Sequence, residues 1–229
     1  GILEETMIII SADHGENQGE LNIYGDHQTA DHITTRIPCI IAGPGVKHGH
    51  VDRDFHYQVD LGPTLSEFVG GPQRKSWDGR SFLPALTEGA SAGRDYLVVS
   101  QCAWSCQRGV RFDNWMLIRT YHDGLKEFPD LMLFDIENDP HETTNLVDEK
   151  PEVVAKGLLL LDKWVAEQMK ISDSPTDPMW SVIHEGGPFH VRDDLNLDSY
   201  LEKLRSEDRN AAADRLERRY RPEKYIAQE

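Results

Sequence analysis

The sequence predicts an α/β protein in which the end of a core sheet is followed by a smaller subdomain of antiparallel strands covered by one helix. Three observations predict it. A β-branched run, Met7-Ile8-Ile9-Ile10, delivers the chain onto Ser11-Ala12-Asp13-His14-Gly15. Four later runs, at 95–101, 109–112, 115–121 and 131–135, have the length and composition of short strands and are separated by turn residues. Behind them Val153, Val154, Leu158, Leu161, Trp164, Val165 and Met169 recur near helical spacing.

Taken in order, the run at 7–10 is apolar at successive positions and bounded by polar residues, so it reads as a strand buried on both faces. Gly15 then lets the backbone turn sharply. Arg36-Ile37-Pro38-Cys39-Ile40-Ile41-Ala42 supplies a second buried strand, closed by the turn Gly43-Pro44-Gly45. Residues 61–69 form a short amphipathic helix against this sheet, Gly70-Gly71-Pro72 ends it, and the polar stretch to Arg94 is a connection. The four strands follow, turning at Asp113-Asn114 and His122-Asp123-Gly124, with the long helix as their cover. Three units result: 1–90, the end of the α/β core; 91–171, the small α+β subdomain; and 172–229, a loop and helical extension. In that extension 197–219 is a charged helical stretch with a solvated face, and His184 and His190 read as structural.

Charge narrows the function. Forty acidic against 24 basic residues give a net charge of −16, which excludes nucleic acid as a partner, because phosphate backbones demand Lys and Arg clusters. An anionic ester must then be attracted locally, by a bound cation. No run approaches ~20 apolar residues, so no transmembrane helix is expected and no membrane partner. Cys39, Cys102 and Cys106 are too few for a disulfide framework or a zinc finger. Cys102 and Cys106 bridge only across a suitable turn and read as free thiols; the lack of paired cysteines points to a reducing cytoplasm.

The candidate chemistry sits where the first strand ends, the place where open α/β sheets bind ligands. Asp13 offers a hard carboxylate oxygen and His14 a neutral imidazole, a pair suited to calcium, magnesium or manganese beside other carboxylates, or to zinc if further histidines join. Gly25-Asp26-His27-Gln28-Thr29-Ala30-Asp31-His32 brings two such histidines, His27 and His32, within twenty residues.

Strand, Asp-His-Gly, histidine loop, Arg-x-Pro strand and Gly-Pro-Gly stop together resemble the second half of the sulfatase family, within the alkaline phosphatase superfamily. Tyr57-Gln58-Val59-Asp60-Leu61-Gly62-Pro63-Thr64-Leu65, Trp77-Asp78-Gly79-Arg80-Ser81-Phe82-Leu83-Pro84 and the stretch from Leu133 through Asp139-Pro140-His141-Glu142 to Leu146 are similar to further sulfatase signatures in the same order. The resemblance covers about residues 1–170 and implies the carboxyl-terminal part of an alkaline-phosphatase-like core sheet plus its small subdomain. It implies an expectation of sulfate-ester hydrolysis, with a small anionic sulfate ester as substrate. The family's nucleophile, a formylglycine made in a Cys-x-Pro-x-Arg or Ser-x-Pro-x-Arg motif, has no counterpart here. The resemblance therefore places it, with the early acidic metal ligands, in a missing N-terminal half of the same enzyme. Without its neighbours the sheet is expected to expose apolar edges at 7–10 and 37–41.

The resemblance also implies roles. Calcium becomes the expected metal, with Asp13 and His14 as the late pair of ligands. Many sulfatases place a sulfate-holding lysine nine residues before the Arg of the Arg-x-Pro strand, and here that residue is His27, nine before Arg36. An imidazole there donates to the ester oxygen or acts as general acid, which makes His27 a catalytic and substrate-binding candidate, with His32 a second substrate-binding candidate. Two alternatives stand beside sulfate-ester hydrolysis. One is phosphodiesterase or phosphonate monoester hydrolase chemistry, in which His27 or His32 ligates zinc; the other is a non-catalytic fragment or partner subunit.

Overall fold

The structure is a computed structural model that describes residues 1–188 and 197–226. It is a mixed α/β chain built on three small antiparallel sheets. Strand β1 (Ile8–Ser11) pairs with β4 (Cys39–Ala42), β2 (Asn17–Gln18) with β3 (Tyr24–Asp26), and the four-stranded sheet runs in the order β5 (Tyr96–Gln101), β6 (Cys106–Phe112), β7 (Trp115–His122), β8 (Leu131–Asp135). Between these lie helices α1 (His32–Thr35), α2 (Leu61–Phe68) and α3 (Leu83–Glu88), and after them α4 (Pro151–Ile171) and α5 (Pro178–His184). Among the described residues no helix is long and apolar enough to cross a membrane.

The four-stranded sheet is the packing centre because both of its faces are covered. On one face Val98, Val110, Phe112, Leu117 and Leu133 meet Val154 and Leu161 of α4. Gly157 lies where a side chain would press into Leu117 and Phe112, so the helix rests directly on the strands. On the other face Met116, Ile118, Met132 and Phe134 bury Ile23 from the turn between β2 and β3. That turn belongs to the histidine loop, so the small subdomain is the platform on which the loop is built.

Asp60 joins the two regions. Fully buried after Tyr57-Gln58-Val59, it accepts the backbone N–H groups of Tyr57 and Arg80, both at 2.7 Å, and a two-pronged Arg94 guanidinium. Burial opposes its charge, but Arg94 and those N–H groups hold its carboxyl below the ordinary range. The Tyr57 hydroxyl also exchanges hydrogen bonds with both backbone groups of Val98 on β5.

Three expectations need correction, and a fourth is refined. The run at 7–10 is not buried on both faces: among the described residues β1 pairs only with β4, and Ile8, Ile10 and Ile40 stand exposed, as expected of this sheet without its neighbours. The stretch between Gly71 and Arg94 is not all connection, since Thr64 on α2 accepts the Phe82 N–H at 2.9 Å and starts α3. β6 begins three residues before Gly109, because polar Gln107 and Arg108 find buried partners on opposite faces of the sheet. The charged stretch at 197–219 is two helices, α6 (Leu197–Ser206) and α7 (Asn210–Tyr220), that close over Leu201, Leu204, Ala213 and Leu216. A short α8 (Glu223–Ile226) follows them.

Candidate active site

The end of β1 is pressed against α1. The Gly15 N–H donates to the Thr34 carbonyl at 2.8 Å, and a Cβ on Gly15 would lie 1.9 Å from the Ile33 carbonyl oxygen. Only glycine lets the two backbones meet. Gly15→Ala should therefore destabilise the chain by about 1–3 kcal/mol, the usual cost of forcing an extra methyl into a packed contact. A denaturant midpoint equal to that of the native chain would contradict this contact.

That contact presents Asp13 and His14 outward. The His14 Nδ1 lies 2.8 Å from the Gly15 carbonyl, and a carbonyl only accepts, so Nδ1 carries the hydrogen and Nε2 is the free lone pair. Nε2 sits 3.8 Å from Asp13 Oδ2, and the Asp13 side chain is 88% exposed. Two ligands that far apart can share one divalent cation, so the pair fits the expected metal. The Gly15 carbonyl chiefly, then the surrounding carboxylates, raise the His14 pKa, while backbone N–H groups lower that of Asp13. Asp13 is thus ionised throughout the working range, and His14 is the group whose proton competes with a metal.

His27 stacks on His14, the ring centroids 3.8 Å apart and the planes inclined by 25°. Its Nδ1 is shielded from solvent and has no hydrogen-bond partner; Asp26 Oδ1 is 3.5 Å away and Glu16 Oε2 3.7 Å. The main chain around it is held from the β5–β6 turn. Gln101 Nε2 donates to the His27 carbonyl at 2.9 Å, Ser105 Oγ to the Gln28 carbonyl at 2.9 Å, and the Ala30 N–H donates to Gln107 at 3.1 Å. Gly109 of β6 leaves room for the Ala30 carbonyl, which a Cβ would approach to 2.4 Å. Burial opposes ionisation of Asp26, but the Gln28 amide and the His27 N–H hold it charged.

The structure thus brings Asp13, His14 and His27 together, and sets His32 in another environment. His32 opens α1, where burial and then the charges of Arg111 and Arg36 lower its pKa to about 4. Its backbone N–H points at both carboxylate oxygens of Glu142, each at 3.1 Å. Glu142 is 2% exposed, and burial first, then the charge of Asp31, raises its pKa to about 8. Asp31 itself, fully buried, accepts from Thr29, Thr34 and Asn17 and caps α1. The neighbouring His141 reaches Glu20 at 2.8 Å. Glu142, Asp31 and Asn17 had no assigned role in the sequence; the one available signal was that Glu142 closes the Asp-Pro-His-Glu motif.

A second group, Asp52, Asp54 and His56, also clusters. Its donors are already engaged, His56 with Asp52 at 2.9 Å and Asp54 with Ser91, Ala92 and Gly93, so it serves the turn that bridges Phe55 to Arg94. His184 ends α5 with its ring near Trp180. His190 lies outside the described residues.

Comparison with known proteins decides the family. The model of the family described as N-sulphoglucosamine sulphohydrolase, C-terminal, matches residues 19–159. The chain belongs to this sulphohydrolase family. The multifunctional alkaline phosphatase superfamily protein PehA of Trinickia caryophylli is 30% identical over 165 residues, 65% of this chain and 32% of that protein. Arylsulfatase K of Homo sapiens is 28% identical over 164 residues, 66% of this chain and 30% of its own length. Among solved structures, the phosphonate monoester hydrolase of Silicibacter pomeroyi superposes with a TM-score of 0.60 at 26% identity, over 74% of this chain and 36% of that one. The chain spans about a third of the length of the curated relatives it matches. The sulphohydrolase match runs from the histidine loop through the small sheet into α4, so it includes both the platform and the loop built on it.

Proposed function

We propose that the chain forms the histidine-loop side of a metal-dependent hydrolase of sulfate esters, working with an N-terminal segment that carries the formylglycine nucleophile. The observation that carries this reading is the fixed tautomer of His14. Its Nε2 is free beside Asp13 Oδ2, while the neighbouring His27 keeps a ring nitrogen uncommitted. A bound divalent cation, calcium by family analogy, would polarise the ester oxygens. Asp13 and His14 would hold it; Asp26, by accepting the His27 backbone N–H, and the β5–β6 turn orient His27, whose ring would donate to the leaving oxygen. His32, neutral down to about pH 4, offers the ester only an uncharged hydrogen bond.

Phosphonate monoester or phosphodiester hydrolysis is the second reading, and one observation favours it. Donor atoms of His14, Glu16 and His27 lie within 4.8 Å of one another, a set that would take zinc if His14 gave up its bond to Gly15.

The first reading is tested by metal analysis of the full-length enzyme. Asp13→Ala should lose metal and activity together. Uptake by the native enzyme should strengthen as pH rises through the raised pKa of His14, because the proton on Nε2 must leave before the nitrogen can ligate. Calorimetric titration with calcium across about pH 5 to 8 measures this, and an affinity independent of pH would remove His14 from the ligand set.

A further inference from the structure

β5 and β6 run antiparallel; Val98 opposite Val110 and Ser100 opposite Arg108 stand on the face turned away from the histidine loop, while Gln101 opposite Gln107 faces the loop. Continued one residue past the end of β5, that register would set Cys102 against Cys106. Directly opposed residues in an antiparallel ladder have Cα atoms about 4.5–5.5 Å apart and side chains on the same face, within the span a disulfide requires. Cys106 is fully buried, whereas Cys102 is half-buried and lines a cavity of about 400 Å³ together with Ser100, Arg108, Trp164 and Asp177. The Arg108 guanidinium, 7% exposed, is held there by Asp177 at 2.6 and 2.7 Å and lies 5.5 Å from the centre of the Trp164 ring.

We propose that Cys102 and Cys106 are a dithiol modification site, oxidised by a peroxide to a Cys102–Cys106 disulfide within one turn. The two cysteines have distinct parts. The neighbouring Cys106 thiol, then the charge of Arg108, favour the thiolate of Cys102 against its burial, and the neighbouring Cys102, then burial, keep Cys106 protonated. The Cys102 thiolate attacks one peroxide oxygen, the O–O bond breaks, and hydroxide leaves and takes up a proton, giving a sulfenic acid and water. Cys106 then gives up its proton, its sulfur attacks Sγ of Cys102, and the sulfenic oxygen departs as a second water. Two thiols and one peroxide thus become one disulfide and two waters. The turn so closed is the one from which Gln101 and Ser105 hold the carbonyls of His27 and Gln28, so the modification acts on the support of the histidine loop.

The test uses the whole 229-residue chain, brief exposure to hydrogen peroxide, alkylation of the remaining thiols and tryptic mapping. Cleavage after Arg94 and Arg108 releases both cysteines in one peptide, 95–108. The expected product is that peptide lighter by two hydrogens and unalkylated, while Cys39, exposed on β4 with its thiol pushed up by partial shielding, is recovered alkylated. Before oxidation, iodoacetamide at neutral pH should label Cys102 severalfold faster than Cys39. In Cys106→Ser the reaction should stop at a sulfenic acid on Cys102, trapped by dimedone. Recovery of Cys106 alkylated beside an over-oxidised Cys102, or faster oxidation of Cys39, would overturn the proposal on the native chain alone, whether or not the serine variant folds.

Discussion

Replacing His27 by alanine in the full-length protein is expected, on the proposed function, to lower turnover by ~10²–10⁴-fold, the usual contribution of a positioned acid, and to leave the metal content nearly unchanged. The geometry separates the two effects. Nε2 of His14 and Oδ2 of Asp13 converge without help from His27, whereas the His27 Nδ1 is shielded, unpartnered and between 3.5 and 3.7 Å from the carboxylates of Asp26 and Glu16. Removing the ring leaves the ligand pair in place and takes away the imidazole proposed to donate to the leaving oxygen. Metal content and turnover measured on the same preparation decide the matter. A variant that loses its ion along with its activity would make His27 a ligand, favour the His14–Glu16–His27 set, and move the enzyme to the phosphonate and phosphodiester side of its superfamily.

Glu142→Gln should change how stability depends on pH. In the fold Glu142 stays protonated up to about pH 8, because its carboxyl is buried and faces the charge of Asp31, while in the unfolded chain it ionises near its ordinary 4.5. Its contribution is fully present below pH 4.5 and is lost as pH rises to about 8, since the unfolded chain alone can release the proton over that window. The loss is on the order of 4 kcal/mol. Glutamine keeps an acceptor for the His32 N–H and cannot ionise, so the variant should match the native chain near the acidic end of the window and melt above it near the basic end. Glu142→Ala should melt below the glutamine variant at every pH, because the first turn of α1 loses its acceptor. Parallel melting curves for the native and glutamine proteins across the window would show that Glu142 is not neutral in the fold.

What the sequence determined by itself was what local pattern encodes. The strands at 95–101, 115–121 and 131–135 and the helix through Val153–Met169 came through within a few residues, because alternation, turn residues and helical spacing are local properties and each element buries one self-contained face. The Asp13-His14-Gly15 turn and the histidine loop were legible for the same reason, and five motifs in order carried the family. Tertiary structure alone decided the rest. Whether an isoleucine run is buried depends on which strands flank it, and β1 meets only β4. Gln107 and Arg108 fell outside the expected strand at 109–112, and only Ala30 and Asp177, far along the chain, give them buried partners. The free nitrogen of His14 is set by one carbonyl, the shielding of His27 by its stacking and by a turn more than seventy residues away, and the role of Glu142 by a helix 110 residues earlier. Residue types announce that a site can exist; lone pairs, protonation states and exposed faces follow from what packs beside them, and that is a property of contacts between distant parts of the chain.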